Sequence, residues 1–466
     1  MDETNMPDFL HLTKRFGLIA ASQLPIQCLL SLKHINPFAW AFLSSHEQVN
    51  RYHRLLGRIM YGLVILHIVF YNFFFVASGI WTKRFFAAVV REGVLASLLL
   101  HALMVTASPS VRNRSYRLFF FFHYIFARVG PVLLFFHASS ARFYAVAGCV
   151  LLAIDIVLRR RQTVRSAPST LETVPGTNLV RIEATLPPSQ ISSFRAHPGS
   201  HVFVHIPAAS RPSQSLVSGS NYLFELARNP FTVSSVNATS GAITLIARKR
   251  AGPLTSHLST LSSSSADSPV TLDIQGPYGG AIGKSLPSLL AGAYDRILLF
   301  AGGVGATFAL PIYRAILSDN PSAHVTLIWA VRSAAEATWA VSSSTASDSG
   351  SSSVLDDKNV QLFLTGDMGV ADSSRSRDGD EGGQQQSVEM ARLHRGEHSS
   401  SSNSARNRKR PDVRKIIDDA FRKGREESVA VIVCGPAGMV REARESVRPW
   451  TMKGRRVWWH SEAFGW

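Results

Sequence analysis

The sequence predicts a multi-span α-helical membrane domain over residues 1–162, a small antiparallel β-barrel over 163–287 and a parallel α/β domain over 288–466, the last carrying a polar insertion near 341–410. Three observations carry this reading. Residues 55–158 are dominated by long apolar runs; 163–287 hold short strand-like runs between Pro, Gly and Ser turns; and from 294 a buried strand, a glycine turn and a helix follow one another. At 466 residues the chain is too long for one ordinary domain.

A helix needs about 20 residues to cross the hydrocarbon core of a membrane. Four stretches meet that length, near 57–81, 85–107, 116–138 and 141–158, and a fifth near 16–32 (FGLIAASQLPIQCLLSL) is weaker because it holds Ser, Gln and Pro. Asp2, Glu3 and Asp8 stand where a signal peptide carries basic residues, so insertion is expected to rely on the spans themselves.

The formal charge of +17 suggests nucleic acid at first sight, but its distribution argues against that. Lys33, Arg51, Arg54, Arg112, Arg114, Arg117, Arg159, Arg160, Arg161 and Arg165 lie in loops on the side of the C-terminal half. Only Lys14, Arg15, Lys83, Arg84 and Arg142 lie opposite. The positive-inside rule then places the C-terminal half in the cytosol. Most of the remaining excess falls in the insertion. Cys28, Cys149 and Cys434 offer neither a disulfide framework nor zinc-ligand spacing.

Four histidines stand out within the apolar half. His53 and His67 are fourteen residues apart, as are His123 and His137. Along a helix, fourteen residues rise about 21 Å and return to within roughly 40° of the same face. Two such helices side by side present two His–His pairs at two depths, the arrangement that bis-histidyl iron in two haems requires. Haem b is indicated because no CxxCH attachment motif occurs. Ionisable residues inside a bilayer are costly and tend to mark function; His101, alone on its span, reads as a packing residue. With the first clear span running outward from the cytosol, the His53–His123 pair lies nearer the cytosol and electrons step from it to His67–His137. Arg58 and Arg128, five residues beyond the first histidine of each helix, suit either haem propionates or snorkelling to the interface.

In 163–287 the clearest strand runs are NLVRIEATL, HVFVHIP, FTVSS, AITLIAR and VTLDIQGPYG. DRILLFAGGVGATFALPIYRAIL then reads as strand, turn and helix. Gly302, Gly303 and Gly305 let the backbone approach a pyrophosphate, and the helix N-terminus beyond Thr307 favours its negative charge. HVTLIWAVR (324–332) and VAVIVCGPAGMV (429–440) are further strands of the same rhythm. Residues 341–410 are rich in Ser, Arg, Gly and Gln, with too few apolar groups to offset ordering, so the segment reads as largely disordered except for QLFLTGD (361–367), a candidate strand. RNRKR (406–410) reads as a solvated or lipid-facing basic run.

RYHRLLGRIMYGLVILH (51–67) and SVRNRSYRLFFFFHYIFARVGPVLLFFH (110–137) resemble the fungal ferric and cupric reductase family, which belongs with the NADPH oxidases. Members usually have further spans upstream of the one near 16–32. The resemblance implies a ferredoxin reductase-like FAD barrel followed by an NADP domain. Arg228-Asn229-Pro230-Phe231-Thr232-Val233-Ser234 is similar to the family's flavin motif, with Asn229 where His is common. Pro230 and Phe231 would line the flavin ring, and Thr232 and Ser234 would hydrogen-bond it. His197-Pro198-Gly199-Ser200 matches a turn ahead of a strand. Arg248, Lys249, Gly252 and Thr255 fit the FAD pyrophosphate, and Gly276 belongs to the element closing the barrel. Arg332 is the implied partner of the ribose 2′-phosphate. Cys434, Gly435 and Pro436 match the nicotinamide position, and Phe464, with Trp466 as rival, matches the aromatic covering the flavin. The implied activity is a plasma-membrane ferric-chelate reductase using NADPH, FAD and two haem b, with ferric or cupric chelates as acceptors, lipid around it and an iron-uptake partner in the same membrane. A superoxide-generating oxidase and a haem protein without turnover are the alternatives.

Overall fold

The computed structural model describes residues 6–33, 35–42, 46–211, 229–237, 239–250, 252–264, 270–279, 292–341, 355, 357–366, 409–424 and 426–462. The chain divides into two compact units between Gln162 and Thr163. Arg228, Phe464, Trp466 and most of the 341–410 insertion, RNRKR included in part, lie outside the described residues.

The first unit is helical: α1 (Met6–Ser22), α2 (Leu24–Ser31), α3 (Pro37–Ala41), α4 (His46–Ala77), α5 (Trp81–Phe85), α6 (Ala88–Thr106), α7 (Pro109–Arg114), α8 (Tyr116–His137) and α9 (Arg142–Arg161). Helices α4, α6, α8 and α9 contain the four segments long and apolar enough to cross a membrane. Two expectations need correction. The first clear span is a 32-residue helix that starts eleven residues before 57, so His53 sits well inside it. The stretch 16–32 is not one helix: Pro25 has no N–H to continue the ladder, and α1 and α2 meet at Gln23. Helix α1 lies along α4, α2 against α4 and α9, and α6 along α8. Asp155 on α9, buried, accepts the backbone N–H of Lys33 at 3.2 Å and pairs with Arg159 at 2.8 Å, tying the end of α2 to α9.

The second unit begins with a closed six-stranded antiparallel barrel in the order β1-β2-β5-β4-β3-β6, built from β1 (Thr163–Thr173), β2 (Leu179–Thr185), β3 (His201–His205), β4 (Asn229–Asn237), β5 (Ala242–Arg248) and β6 (Val270–Tyr278). Its interior is apolar, with Ile182, Val202, Leu245 and Leu272 fully buried. Strand β1 was not among the expected runs. TVRSAPSTLET does not alternate cleanly, and its pairing with β6 slips between Val164 and Ala167, where Ser166 has φ 51° and its N–H reaches Asp273 Oδ1 at 2.9 Å.

A five-stranded parallel sheet follows, in the order β11-β10-β7-β8-β9, from β7 (Arg296–Gly302), β8 (His324–Val331), β9 (Val360–Leu364), β10 (Val429–Cys434) and β11 (Val457–Glu462). Helix Ala306–Asp319 covers one face, and Val413–Lys423 with Ala437–Met452 the other; both faces bury continuous apolar side chains, as parallel sheets require. The chain runs outward from β7 to β8 and β9, then returns to place β10 on the other side of β7. The order therefore reverses between β7 and β10, and open α/β sheets bind ligands beyond the strand C-termini at such a switch point.

Candidate functional site

In the membrane unit, His53 and His123 have ring centroids 6.0 Å apart with planes at 51°, and His67 and His137 are 6.3 Å apart at 88°. Since the first histidine of one helix meets the first of the other, and the second the second, α4 and α8 run in the same direction. Among the described residues no group of three or more His, Cys, Asp or Glu gathers as a metal site; these histidines meet in twos.

Backbone carbonyls hold three of the four rings by Nδ1: Gln27 O at 3.1 Å for His53, Thr13 O at 2.9 Å for His67 and Val89 O at 2.7 Å for His137. A carbonyl acceptor at Nδ1 fixes the N–H there and leaves Nε2 as the basic nitrogen, the arrangement found around metal-ligating imidazoles. His123 Nδ1 is buried without a hydrogen-bond partner. Thr13 and Gln27 are themselves fourteen residues apart, so α1 and α2 present carbonyls to α4 at the histidine spacing.

Access to two of these carbonyls depends on glycine. Gly17 lies four residues after Thr13 and Gly93 four after Val89, so each N–H faces the carbonyl that the histidine shares. A Cβ on Gly17 would stand 2.7 Å from His67 Nδ1, and one on Gly93 would run into the His137 ring. The Gln27 side chain lies against the His53 ring, donating to His53 O at 3.0 Å with Nε2 3.4 Å from His53 Nε2. Histidine spacing was visible in the sequence; these carbonyl and glycine partners were not. His101 accepts or donates a 2.6 Å hydrogen bond with Tyr61, and Arg128 lies 3.2 Å above the Tyr124 ring of its own helix.

In the barrel, Pro230 and Phe231 are half-buried on β4, Thr232 and Ser234 are buried, and Thr232 stands opposite His201 in register. The Ser234 hydroxyl donates to Thr244 O at 2.9 Å, so its proton is committed to the neighbouring strand. Ser200, next to this strand, keeps a buried hydroxyl without a partner. His201, Phe203 and Tyr278 pack as an aromatic group beside it. Gly276 of β6 passes Val202 closely enough that a Cβ would approach within 2.9 Å. Thr255, at the start of helix Pro253–Ser264, accepts from Arg250 N at 3.2 Å and donates to Arg250 O at 3.1 Å, shaping the turn that contains Gly252.

At the sheet's switch point, Gly302, Gly303 and Gly305 form the turn between β7 and helix Ala306–Asp319. A Cβ on Gly302 would meet Pro436 Cδ at 2.5 Å, and one on Gly305 would run into the Cys434 carbonyl. The β7 and β10 turns are thus packed backbone to backbone, bringing Cys434, Gly435 and Pro436 to the glycine loop. Thr307 donates to Val304 O at 2.8 Å, and Trp329, fully buried on β8, donates its indole N–H to Gly303 O at 2.9 Å. Cys434 is 0 % exposed, and burial, with Glu462 nearby, pushes its thiol well above the usual range. Arg332 is exposed at the end of β8. A cavity of about 560 Å³ lined by Tyr294, Asp295, His324 and Arg456 lies at the opposite edge of the sheet; the strand C-termini, not this edge, carry the phosphate-binding geometry.

The barrel meets the nucleotide domain at a few close points. Gly199 lies against Phe308 and Ile312, Gly176 against Ala335, and Arg248 Nη2 pairs with Glu336 Oε1 at 3.1 Å. This fold joined to a helical membrane unit is that of a transmembrane oxidoreductase supplied by a nicotinamide nucleotide.

Comparison with known proteins sharpens that class. The chain carries two domains of ferric reductases: the ferric reductase like transmembrane component matches residues 16–150, and the ferric reductase NAD binding domain matches 294–448. It is 27 % identical over 442 residues to a probable metalloreductase AIM14 of Meyerozyma guilliermondii, covering 93 % of this chain and 80 % of that protein. It is 24 % identical over 474 residues to a protein of the same name from Scheffersomyces stipitis, covering 97 % and 80 %. The ferric/cupric reductase transmembrane component 2 of Schizosaccharomyces pombe is 22 % identical over 486 residues, covering 96 % and 80 %.

Proposed function

We propose that the protein is a plasma-membrane metalloreductase that draws electrons from cytosolic NADPH and delivers them to ferric or cupric chelates on the far side, with FAD in the barrel and one haem b in each histidine pair. The observation that carries this reading is the separation of the imidazoles. An iron between two rings needs two bonds of roughly 2 Å plus two ring half-widths of roughly 1.1 Å, about 6.2 Å in all, against the 6.0 and 6.3 Å found.

When bound, the nucleotide and flavin supply two-electron chemistry and the haems one-electron chemistry. The chain's own residues hold and orient these groups. Thr13, Gln27 and Val89 set the tautomers of three imidazoles, which leaves Nε2 as the nitrogen that would take the iron; at His53 the Gln27 amide, 3.4 Å from Nε2, would give way to it. Pro230, Phe231 and Thr232 offer an apolar strand with one hydroxyl for a flavin ring, while Gly302, Gly303 and Gly305 offer close backbone approach for a dinucleotide pyrophosphate. Cys434 stands at the end of β10 as a neutral thiol, adding no charge beside a nicotinamide. Arg332 is the exposed cation for a ribose 2′-phosphate; the flavin-covering aromatic implied by the resemblance, Phe464 with Trp466 as rival, lies outside the described residues.

The test is spectroscopic. NADPH added anaerobically to membranes holding the protein should reduce the haem bands, and ferric citrate or a Cu(II) chelate should reoxidise them. Haem that dithionite reduces but NADPH does not would refute the electron chain. Reoxidation by oxygen with superoxide release, and not by either chelate, would replace the metalloreductase with an oxidase.

A further inference from the structure

Arg248 is the last residue of β5, yet its guanidinium does not turn toward the Gly252–Thr255 segment that follows it. It crosses to the nucleotide domain. Its Nη2 lies 3.1 Å from Glu336 Oε1 and 3.3 Å from the place a Cβ on Gly303 would occupy. Gly303 has φ 55° and its carbonyl is anchored by Trp329, so the loop beneath the guanidinium is fixed. Glu336 is fixed as well. It lies 8 % exposed on the short turn Ala334–Ala337 after β8, and its second oxygen, Oε2, accepts the Arg332 N–H at 3.4 Å. A barrel arginine is therefore parked against the glycine loop by a carboxylate of the nucleotide domain.

We propose that Glu336 sets the affinity of the glycine loop for dinucleotides by occupying Arg248 until a phosphate displaces it. The inference rests on the nucleotide reading above. Arg248 Nη2 stands 3.3 Å from where a Cβ on Gly303 would lie, so a phosphate on the Gly302–Gly305 N–H groups would sit beside the guanidinium. Arginine binds phosphate through a bidentate fork that the single Glu336 oxygen at Nη2 does not fill. Both partners are mostly shielded from solvent, the side chains being 17 % and 9 % exposed, so displacing Glu336 leaves a shielded carboxylate without its cation, and that cost counts against nucleotide binding. Glu336 thereby weakens nucleotide binding while holding the unliganded interface together.

The experiment uses the full-length protein in detergent micelles and ADP as probe, its dissociation constant read by calorimetry. Glu336→Gln keeps an acceptor for Arg332 N–H and removes the charge; ADP should bind about 3- to 10-fold more tightly. Arg248→Gln should weaken ADP by a similar factor, and Glu336→Gln added to Arg248→Gln should change nothing further. A thermal melt of each variant confirms that it is folded, and Glu336→Asp gives a second, milder variant that should stay near the parent. Unchanged or weaker ADP binding in Glu336→Gln, or a gain that persists without Arg248, overturns the inference while leaving the nucleotide reading intact. No ADP binding by the unsubstituted protein overturns the nucleotide reading and the inference with it.

Discussion

Replacing Gly17 with alanine tests the membrane site at a single carbon atom. The new Cβ would stand 2.7 Å from His67 Nδ1, 2.8 Å from Cε1 and 3.2 Å from Cγ, whereas ordinary contact begins at 3.4 Å. The ring must then withdraw by about 0.7 Å, which lengthens its 2.9 Å bond to Thr13 O to roughly 3.6 Å, beyond useful hydrogen bonding. Losing that bond costs about 1 kcal/mol, and crowding a packed site adds about 1–3 kcal/mol. The sum corresponds to a weakening of about one and a half to three decades in affinity for the group held by His67 and His137. Gly62 is the control, since a Cβ there meets nothing within 4 Å and alanine should gain about 1 kcal/mol of helix stability. The assay is haem per polypeptide by pyridine haemochrome, with low-temperature electron paramagnetic resonance of the ferric state. Gly17→Ala should hold about one haem where Gly62→Ala holds two. Two haems in Gly17→Ala with an unchanged spectrum would refute the reasoning.

Three further outcomes follow from the nucleotide domain. Gly305→Ala drives a Cβ into the Cys434 carbonyl, so NADPH should no longer reduce the haems although dithionite still does; the haem spectrum with each reductant checks this. Trp329→Phe removes the 2.9 Å bond to Gly303 O, a loss of about 1 kcal/mol that should weaken ADP binding roughly five-fold by calorimetry. Cys434 has a thiol pKa raised by burial above its unfolded value of about 8.5, so its contribution to stability is present below that pH and is lost as the pH rises through the folded value. Iodoacetamide mapped by mass spectrometry should leave Cys434 unmodified in the folded protein at pH 8 and alkylate it in urea; rapid labelling of the folded protein would count against the burial.

What the sequence reveals depends on whether side chains or backbone do the work. The fourteen-residue repeat of His53/His67 and His123/His137 is written in residue identity, and so are the glycines of 302–305. The repeat of Thr13 and Gln27 acts through main-chain carbonyls, for which any residue would serve, so no pattern marks it. Gly17 and Gly93 become meaningful only once the facing histidine is known. Strand β1 is hidden in the sequence because its bulge at Ser166 and its Pro168 spoil the alternation that identifies a strand. Glu336 is a single acid in an alanine-rich turn, and only the meeting of barrel and sheet gives it Arg248 as a partner.

The two histidine pairs are not equivalent in how they are held. In the His67–His137 pair both rings are anchored, by Thr13 O and Val89 O, on opposite sides. In the His53–His123 pair only His53 is anchored, while His123 Nδ1 has no hydrogen-bond partner and its ring is confined mainly by packing, Phe119 lying 5.2 Å away. A ring without a fixed acceptor has a shallower torsional well, so its plane is set by what lies between the rings more than by the protein. The ferric resonance signal of the His53–His123 centre should therefore be broader in its g-values than that of the other, and Gly17→Ala, which disturbs His67, identifies which signal is which. Equal, narrow lines from both centres would mean that packing alone holds His123 as firmly as a carbonyl holds the other three.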